Sequence, residues 1–340
     1  MKIIECVPNF SEGKNEETFQ AIIDAIKSTE GVKFLNLEPD PDYNRVVVTM
    51  AGDENGILEG AINASKAAAN EINMQTHIGE HPRIGAIDVV PFVPVKNVTM
   101  NECVKISERF GEIIAKELNV PVYLYEAAAK KPQRKSLSNI RKGEYEGLED
   151  KLKDAEWKPD FGSPVFNPKL GALVTGARFF LIAYNVNIKS NDVKYAKEIA
   201  EALRESGTIK RDAEGKAIKI DGQNVRIPGR LKEVKAMGVS LDKYNITQVS
   251  MNLTNFEVTP IHIAFEEVKK EAAKLGVEVD GSEIVGLVPL EALLQAGKFY
   301  SDNKTTDEHT LVDLAIEKLG LSSLNKFDKN KKVIDYMIKE

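Results

Sequence analysis

Hydrophobic periodicity changes along this chain in an order that few folds satisfy, and the order comes round twice. Residues 3–7 read as a strand. Residues 15–29 read as a helix, because Phe19, Ile22, Ile23 and Ile26 recur on one helical face. Gly31 then suits a helix C-terminus. Residues 32–37 and 45–50 read as strands, the second rich in β-branched side chains, with the reversal EPDPDYN between them. An alanine-rich helix at 55–72 and a strand at 84–93 complete β-α-β-β-α-β, the split order of ferredoxin-like domains. A helix at 100–118 and a strand at 120–125 follow. After residue 170 the same order returns: strand 173–187, helix 192–205, two strands within 231–255, helix 259–275 and strand 283–288. The echoes DVVPFVPV and IVGLVPLE follow the second helix of each half. The expectation is an α/β (α+β) protein of two ferredoxin-like subdomains, 1–170 and 171–325, arisen by duplication, with a tail at 326–340. A chain of 340 residues is long enough for two such cores.

The stretch 151–171, KLKDAEWKPDFGSPVFNPKLG, stands between the halves. A plain linker seldom carries Trp157, Phe161 and Phe166 together, so the segment is expected to line a cleft or pack across the boundary. Clefts between domains are favoured ligand sites.

Composition removes several classes of function. Cys6 and Cys103 lack CxxC or zinc-type spacing, which points away from a disulfide framework and towards a reducing compartment. The start, MKIIECVPNFSEG, is not a secretory signal, since Glu5 interrupts a short apolar stretch. No apolar run approaches the roughly 18 residues of a membrane span, and LGALVTGARFFLIAYNVNI carries Arg178 near its middle. The expectation is a cytoplasmic protein with no membrane. A net charge of −6 argues against a nucleic-acid partner, and KKPQRK and KFDKNKK read as solvated loops or, second, as contacts to a small anion.

One stretch concentrates reactive side chains. THIGEHPRIGAIDVVPFVP holds His77, Glu80, His81 and Arg83, two of the four histidines in the chain. His77 to His81 matches the H-x-x-E-H of inverzincin peptidases. That chemistry needs both histidines on one helical turn, whereas Gly79 weakens a helix and Pro82 pushes His81 out of the α region. Two ligands are also too few for zinc, so no metal is expected. Acid–base chemistry and an ordinary polar turn both remain open on this evidence. For the first, Glu80 would orient an imidazole and Arg83 would hold a carboxylate with two hydrogen bonds. The turn Glu38-Pro39-Asp40-Pro41-Asp42 offers carboxylates to a cation but reads equally as solvated, and Ser11-Glu12-Gly13 reads as a helix cap. No GxGxxG, Walker A or GxSxG motif is present, and His262 and His309 read as structural or solvated.

The blocks ECVPNFSEG, THIGEHPRIGAIDVVPFVPV, VPVYLYEAAA, IRKGEYEGL, WKPDFG, GARFFLIAYNVN, PGRLKEVKAMG, QVSMNLTNFEVTPIH and IVGLVPLEALL resemble, in order, the glutamate formiminotransferase family. The resemblance implies transfer of a formimino group from N-formimino-L-glutamate to tetrahydrofolate, in histidine degradation. It implies two α/β subdomains with a ligand cleft or tunnel between them, a homodimer, and no tightly bound cofactor, with tetrahydrofolate, mono- or polyglutamylated, as co-substrate. It places the family's catalytic histidine on His81. It places the folate-contacting segment on Gly162, Ser163, Pro164, Val165, Phe166, Asn167, Pro168, Lys169, Leu170 and Gly171. An acidic residue in the loop after the second strand falls on Glu38, while Arg45 or Arg83 would anchor the glutamate carboxylates and His77 and Glu80 would support the site. The chain ends before a cyclodeaminase domain, so a separate protein would supply that step. Departures from the animal pattern, at 208–225, MGVSLDKYN and Lys169-Leu170, bear on substrate preference more than on chemistry. The rival readings are an activity on 5-formyltetrahydrofolate, a non-catalytic folate-binding module and the H-x-x-E-H zinc peptidase.

Overall fold

The structure is a computed structural model that describes residues 2–339. The chain divides into two compact units between Phe179 and Phe180. In the first unit the elements are β1 (Ile3–Cys6), β2 (Asn9–Phe10), α1 (Glu16–Lys27), β3 (Val32–Asp40), β4 (Arg45–Gly52), α2 (Glu54–Glu71), β5 (Ile87–Lys96), α3 (Met100–Leu118), β6 (Val122–Glu126), α4 (Leu137–Arg141), α5 (Leu148–Lys153) and β7 (Leu173–Ala177). They build a seven-stranded sheet in which β1 and β2 both lie between β4 and β5, antiparallel to each. Strand β3 pairs outside β4, and β7 pairs in parallel with both β5 and β6.

Local chemistry explains the elements that matter most. Asn15 accepts the backbone N–H groups of Glu17 and Thr18 and so starts α1, while Thr99 and Glu102 form a reciprocal cap on α3. The α1 stripe Phe19, Ile22 and Ile26 joins α2, α3 and one sheet face in the main core. Each such side chain contributes about 1.5–3 kcal/mol by leaving water. Val90 and Phe92 of β5 enter this core, whereas their neighbour Val89 enters a second cluster with Tyr123, Tyr125, Ile140, Leu148 and Leu152. Strand alternation thus gives the sheet two buried faces, with α4 and α5 supplying side chains to the second.

Two expectations need correction here. The apolar run at 173–187 is not one strand but two, β7 and β8 (Ile182–Ile188), separated by Arg178–Leu181. A continuous apolar run carries no periodicity that marks such a break. Because β7 completes the first sheet, the division falls at 179/180 and not at 170/171. The stretch 151–171, not expected to be a plain linker, lies within the first unit. Phe161 bridges Val122 and packs on the main core, and Trp157 packs edge-on against Tyr123, its ring covered by Lys151 at 4.6 Å.

In the second unit β8 is followed by α6 (Val193–Leu203), the short strands β9 (Thr208–Ile209), β10 (Lys219–Ile220), β11 (Gln223–Asn224) and β12 (Arg226–Ile227), and then β13 (Val234–Leu241) and β14 (Ile246–Leu253). Next come α7 (Ile261–Lys274), β15 (Val279–Val285), α8 (Leu290–Tyr300), α9 (Glu308–Lys318), α10 (Lys329–Lys332) and α11 (Ile334–Lys339). Its main sheet runs β13-β14-β8-β15, every neighbour antiparallel. This matches the placing of β3, β4, β1/β2 and β5 in the first unit. Strand β15 ends earlier than expected because Gly286 turns the chain at φ +76°. The stretch after 325 packs within this unit, where Val333 bridges Val288 and Asp335 accepts the N–H of Leu290. No helix among the described residues is long and apolar enough to cross a membrane.

Candidate active site

Between the end of α2 and the start of β5 the chain forms neither helix nor strand, apart from isolated bridging. This loop is pinned to the turn joining β3 and β4. Asn44 Nδ2 donates to the Ile78 carbonyl at 2.8 Å, and His77 Nε2 lies 2.9 Å from the Asn44 carbonyl. Gly79 is required by the approach, since a Cβ there would stand 2.5 Å from the Tyr43 carbonyl oxygen. The helical turn that H-x-x-E-H zinc binding needs is therefore absent, and His77 is turned towards other partners.

His81 follows on this loop with its side chain 13% exposed. Its Nε2 is buried and faces Asp88 Oδ2 at 3.7 Å. That is an electrostatic contact, and a closure of less than about 1 Å makes it a hydrogen bond. The same Asp88 oxygen takes an ion pair from Arg141 Nη2, at the end of α4, and Asp88 Oδ1 accepts the Ile84 N–H at 3.0 Å. Burial alone would push the Asp88 carboxyl up. The His81 imidazole, the Arg141 guanidinium and the Ile84 N–H outweigh burial and hold it below the usual carboxylate range. Asp88 is thus an anion that faces the Nε2 edge of His81 without a hydrogen bond to it. Tyr43 stands edge-on to that ring, with centroids 6.3 Å apart.

Arg83 is committed elsewhere. It pairs with both Glu146 oxygens at 2.6 and 2.9 Å and with Glu144 at 3.0 Å. Its Nε points at His77 Nδ1 at 3.4 Å. The guanidinium can only donate and the Asn44 carbonyl can only accept, so His77 is neutral with its proton on Nε2. Burial, reinforced by the charge of Arg83, pushes its pKa down. His77 is a brace, and Arg83 is not available to anchor a substrate carboxylate.

The segment Gly162 to Gly171 is tied to the same loop by backbone. Ala86 N–H donates to the Leu170 carbonyl at 2.9 Å and Ala172 N–H to the Ile84 carbonyl at 3.0 Å. Gly171 sits at φ +68°, and a Cβ there would meet the Ile84 carbonyl oxygen at 2.3 Å. Tyr145, between the two glutamates that grip Arg83, donates to the Pro168 carbonyl at 2.6 Å and packs on Phe166 at 5.4 Å. Asn167 Oδ1 accepts the N–H groups of Lys169 and Leu170. Ser163, Pro164, Val165, Pro168 and Lys169 are exposed, with Val165 at 65%. A chain of contacts therefore runs from the His81 loop through Arg83, Glu146 and Tyr145 to this segment.

The remaining expected residues fall less centrally. Glu38 lies within β3, not in the loop after it, exposed and accepting from Asn36 at 2.9 Å. Glu80 is exposed, and the carboxylate facing His81 is Asp88 instead. Arg45 opens β4, donates to Asn9 at 3.2 Å, and keeps a buried Nε with no acceptor among the described residues. Sequence reasoning passed over Asp88, Arg141, Glu144 and Glu146. One signal was available, a lone carboxylate inside the apolar run IDVVPFVP.

His81, Arg141 and the buried Asp88 thus form a partly buried histidine–carboxylate–guanidinium cluster at a loop of the first unit of an α+β protein. Residues 3–178 match the N-terminal subdomain of the formiminotransferase domain, and residues 183–339 match the formiminotransferase domain that follows it. The chain belongs to the formiminotransferase family. It is 51% identical to formimidoyltransferase-cyclodeaminase of Dictyostelium discoideum over 342 residues, which cover 100% of the chain and 61% of that protein. It is 42% identical to glutamate formimidoyltransferase of Thermoplasma acidophilum and 41% identical to that of Streptococcus pyogenes. Those matches cover 94% and 91% of the chain and 98% and 96% of the relatives. The chain spans about 60% of the length of the relatives whose names join formimidoyltransferase to cyclodeaminase.

Proposed function

We propose that this chain transfers the formimino group of N-formimino-L-glutamate to tetrahydrofolate, giving 5-formiminotetrahydrofolate and L-glutamate. What supports the reading most is identity above 40%, along nearly their whole length, to two relatives named glutamate formimidoyltransferase. His81 is the proton carrier in this proposal. N5 of tetrahydrofolate adds to the amidinium carbon and gives its proton to His81 Nδ1. The tetrahedral intermediate then expels the glutamate nitrogen, which takes the same proton back as the C–N bond breaks. Asp88 faces Nε2 and stabilises the imidazolium formed between the two steps. The segment 162–171 receives the folate, with Phe166 against the pterin, and Glu38 faces the cationic formimino group. Tetrahydrofolate is a co-substrate and no tightly bound cofactor takes part. The chain acts in the cytoplasm as a homodimer.

The test is an absorbance assay for 5-formiminotetrahydrofolate with purified protein, run in parallel with formylglutamate as donor and with 5-formyltetrahydrofolate. Rapid turnover of formiminoglutamate alone is expected. Turnover confined to a formyl compound, or folate binding without turnover, would replace this reading with one of its rivals.

A further inference from the structure

Formiminoglutamate carries two carboxylates, and Arg83, the arginine nearest His81 in sequence, is saturated by Glu144, Glu146 and His77. Arg141 is placed differently. One of its terminal nitrogens meets Asp88, but its Nε is buried with no acceptor among the described residues. With Pro82, Ser138, Lys142, Gly143 and Glu144 it lines a depression of about 270 Å³. Pro82 is the residue after His81, so this depression adjoins the proton carrier. Lys142 and Ser138 are exposed on its wall and add a cation and a hydroxyl donor. The one carboxylate on the wall, Glu144, is paired with Arg83 at 3.0 Å, which blunts its repulsion of an anion.

We propose that this depression is a carboxylate subsite in which Arg141, assisted by Lys142 and Ser138, receives the α-carboxylate of the amino-acid donor. The inference rests on the formimino-transfer reading. Geometry selects the α-carboxylate. Imidazole and guanidinium converge on one oxygen of Asp88. The α-carboxylate carbon of formiminoglutamate is two bonds from the nitrogen that must be protonated on leaving. A carboxylate on Arg141 therefore sets that nitrogen beside His81. A planar guanidinium suits this task because it can serve Asp88 and a second carboxylate in fixed directions. A carboxylate of the folate glutamate tail has the same chemistry, and kinetics separates the two sources.

Lys142→Ala and Arg141→Lys are to be assayed with formiminoglutamate, with its analogue lacking the α-carboxylate (4-formimidoylaminobutyrate), and with mono- and triglutamyl tetrahydrofolate. Lys142→Ala is expected to raise KM for formiminoglutamate about tenfold with kcat nearly unchanged. KM for both folates and the poor kinetics of the analogue should not move further. Arg141→Lys is expected to raise the donor KM more. A donor KM unchanged in both variants, or a rise confined to triglutamyl folate, would overturn the subsite. L-glutamate itself is the second probe, by NMR titration of the whole chain. Weaker binding in Lys142→Ala sustains the subsite even if the wild type fails to turn over formiminoglutamate, a failure that would count against the transfer reading alone. Equal binding would count against the subsite.

Discussion

At the scale of single residues, the two histidines of the HIGEH run differ in what their nitrogens meet. His77 has both nitrogens engaged, by Asn44 and Arg83, whereas His81 faces Asp88 with Nε2 and makes no hydrogen bond to it. Because burial lowers the His77 pKa, the unfolded chain takes a proton there before the folded one does. Folding stability should therefore fall as pH drops below about 6.5, and His77→Gln should flatten that slope in acid melts. The Asp88 carboxyl is held low in the folded state, so its contribution persists above about pH 4 and is lost below it. Asp88→Asn leaves Arg141 unpaired and should cost on the order of 3 kcal/mol in denaturant unfolding, with kcat lowered about tenfold or more. Glu5 gives a test away from the site. It is fully buried, and desolvation, only partly offset by Arg178, pushes its pKa up to about 7. A raised carboxyl stabilises the fold below the unfolded value and loses that advantage as pH rises through 7. Glu5→Gln should thus leave the melting temperature near pH 4 unchanged and raise stability at pH 8 by about 3 kcal/mol.

At the scale of elements, periodicity located α1, α2, α3, α6, α7 and the long strands of both sheets, since α1, α2 and α3 carry clear apolar stripes; it did not locate α4, α5, the helices α8 to α11 or the two-residue strands. It failed where the signal is absent. The apolar run ending in β8 hid a break, and Glu38 was assigned to a loop although β3 runs on through Pro39 to Asp40 at the edge of the sheet. An edge strand tolerates such a proline because its N–H group is not needed by a neighbour on the open side. The candidate site was legible as the HIGEHPR loop. Its partners Arg141 and Glu146 were not, because they stand 53 residues from Asp88 and 63 from Arg83 and reach the loop only through α4 and the turn after it, while Asp88 was hidden within an apolar strand. Gly171 belongs to this scale, as the hinge of the backbone ties between the 162–171 segment and Ile84. Gly171→Ala places a Cβ against backbone at a left-handed φ, and should lower stability by about 1–3 kcal/mol and raise KM for tetrahydrofolate more than for the donor.

At the scale of the whole molecule, each unit repeats one strand arrangement, yet the cluster around His81 belongs wholly to the first. A net charge of −6 leaves positive charge to be concentrated locally, as at Arg141, Lys142 and Lys151. Light scattering is expected to report a homodimer, with a monomer at micromolar concentration contradicting that proposal. The central claim concerns one proton moved between two nitrogens. The most direct measurement is turnover by His81→Ala in the formiminotetrahydrofolate assay, with tetrahydrofolate binding measured on the same preparation. A loss of roughly 10²–10⁴-fold in turnover with folate binding intact is the predicted result. Turnover close to that of the wild type would contradict the account.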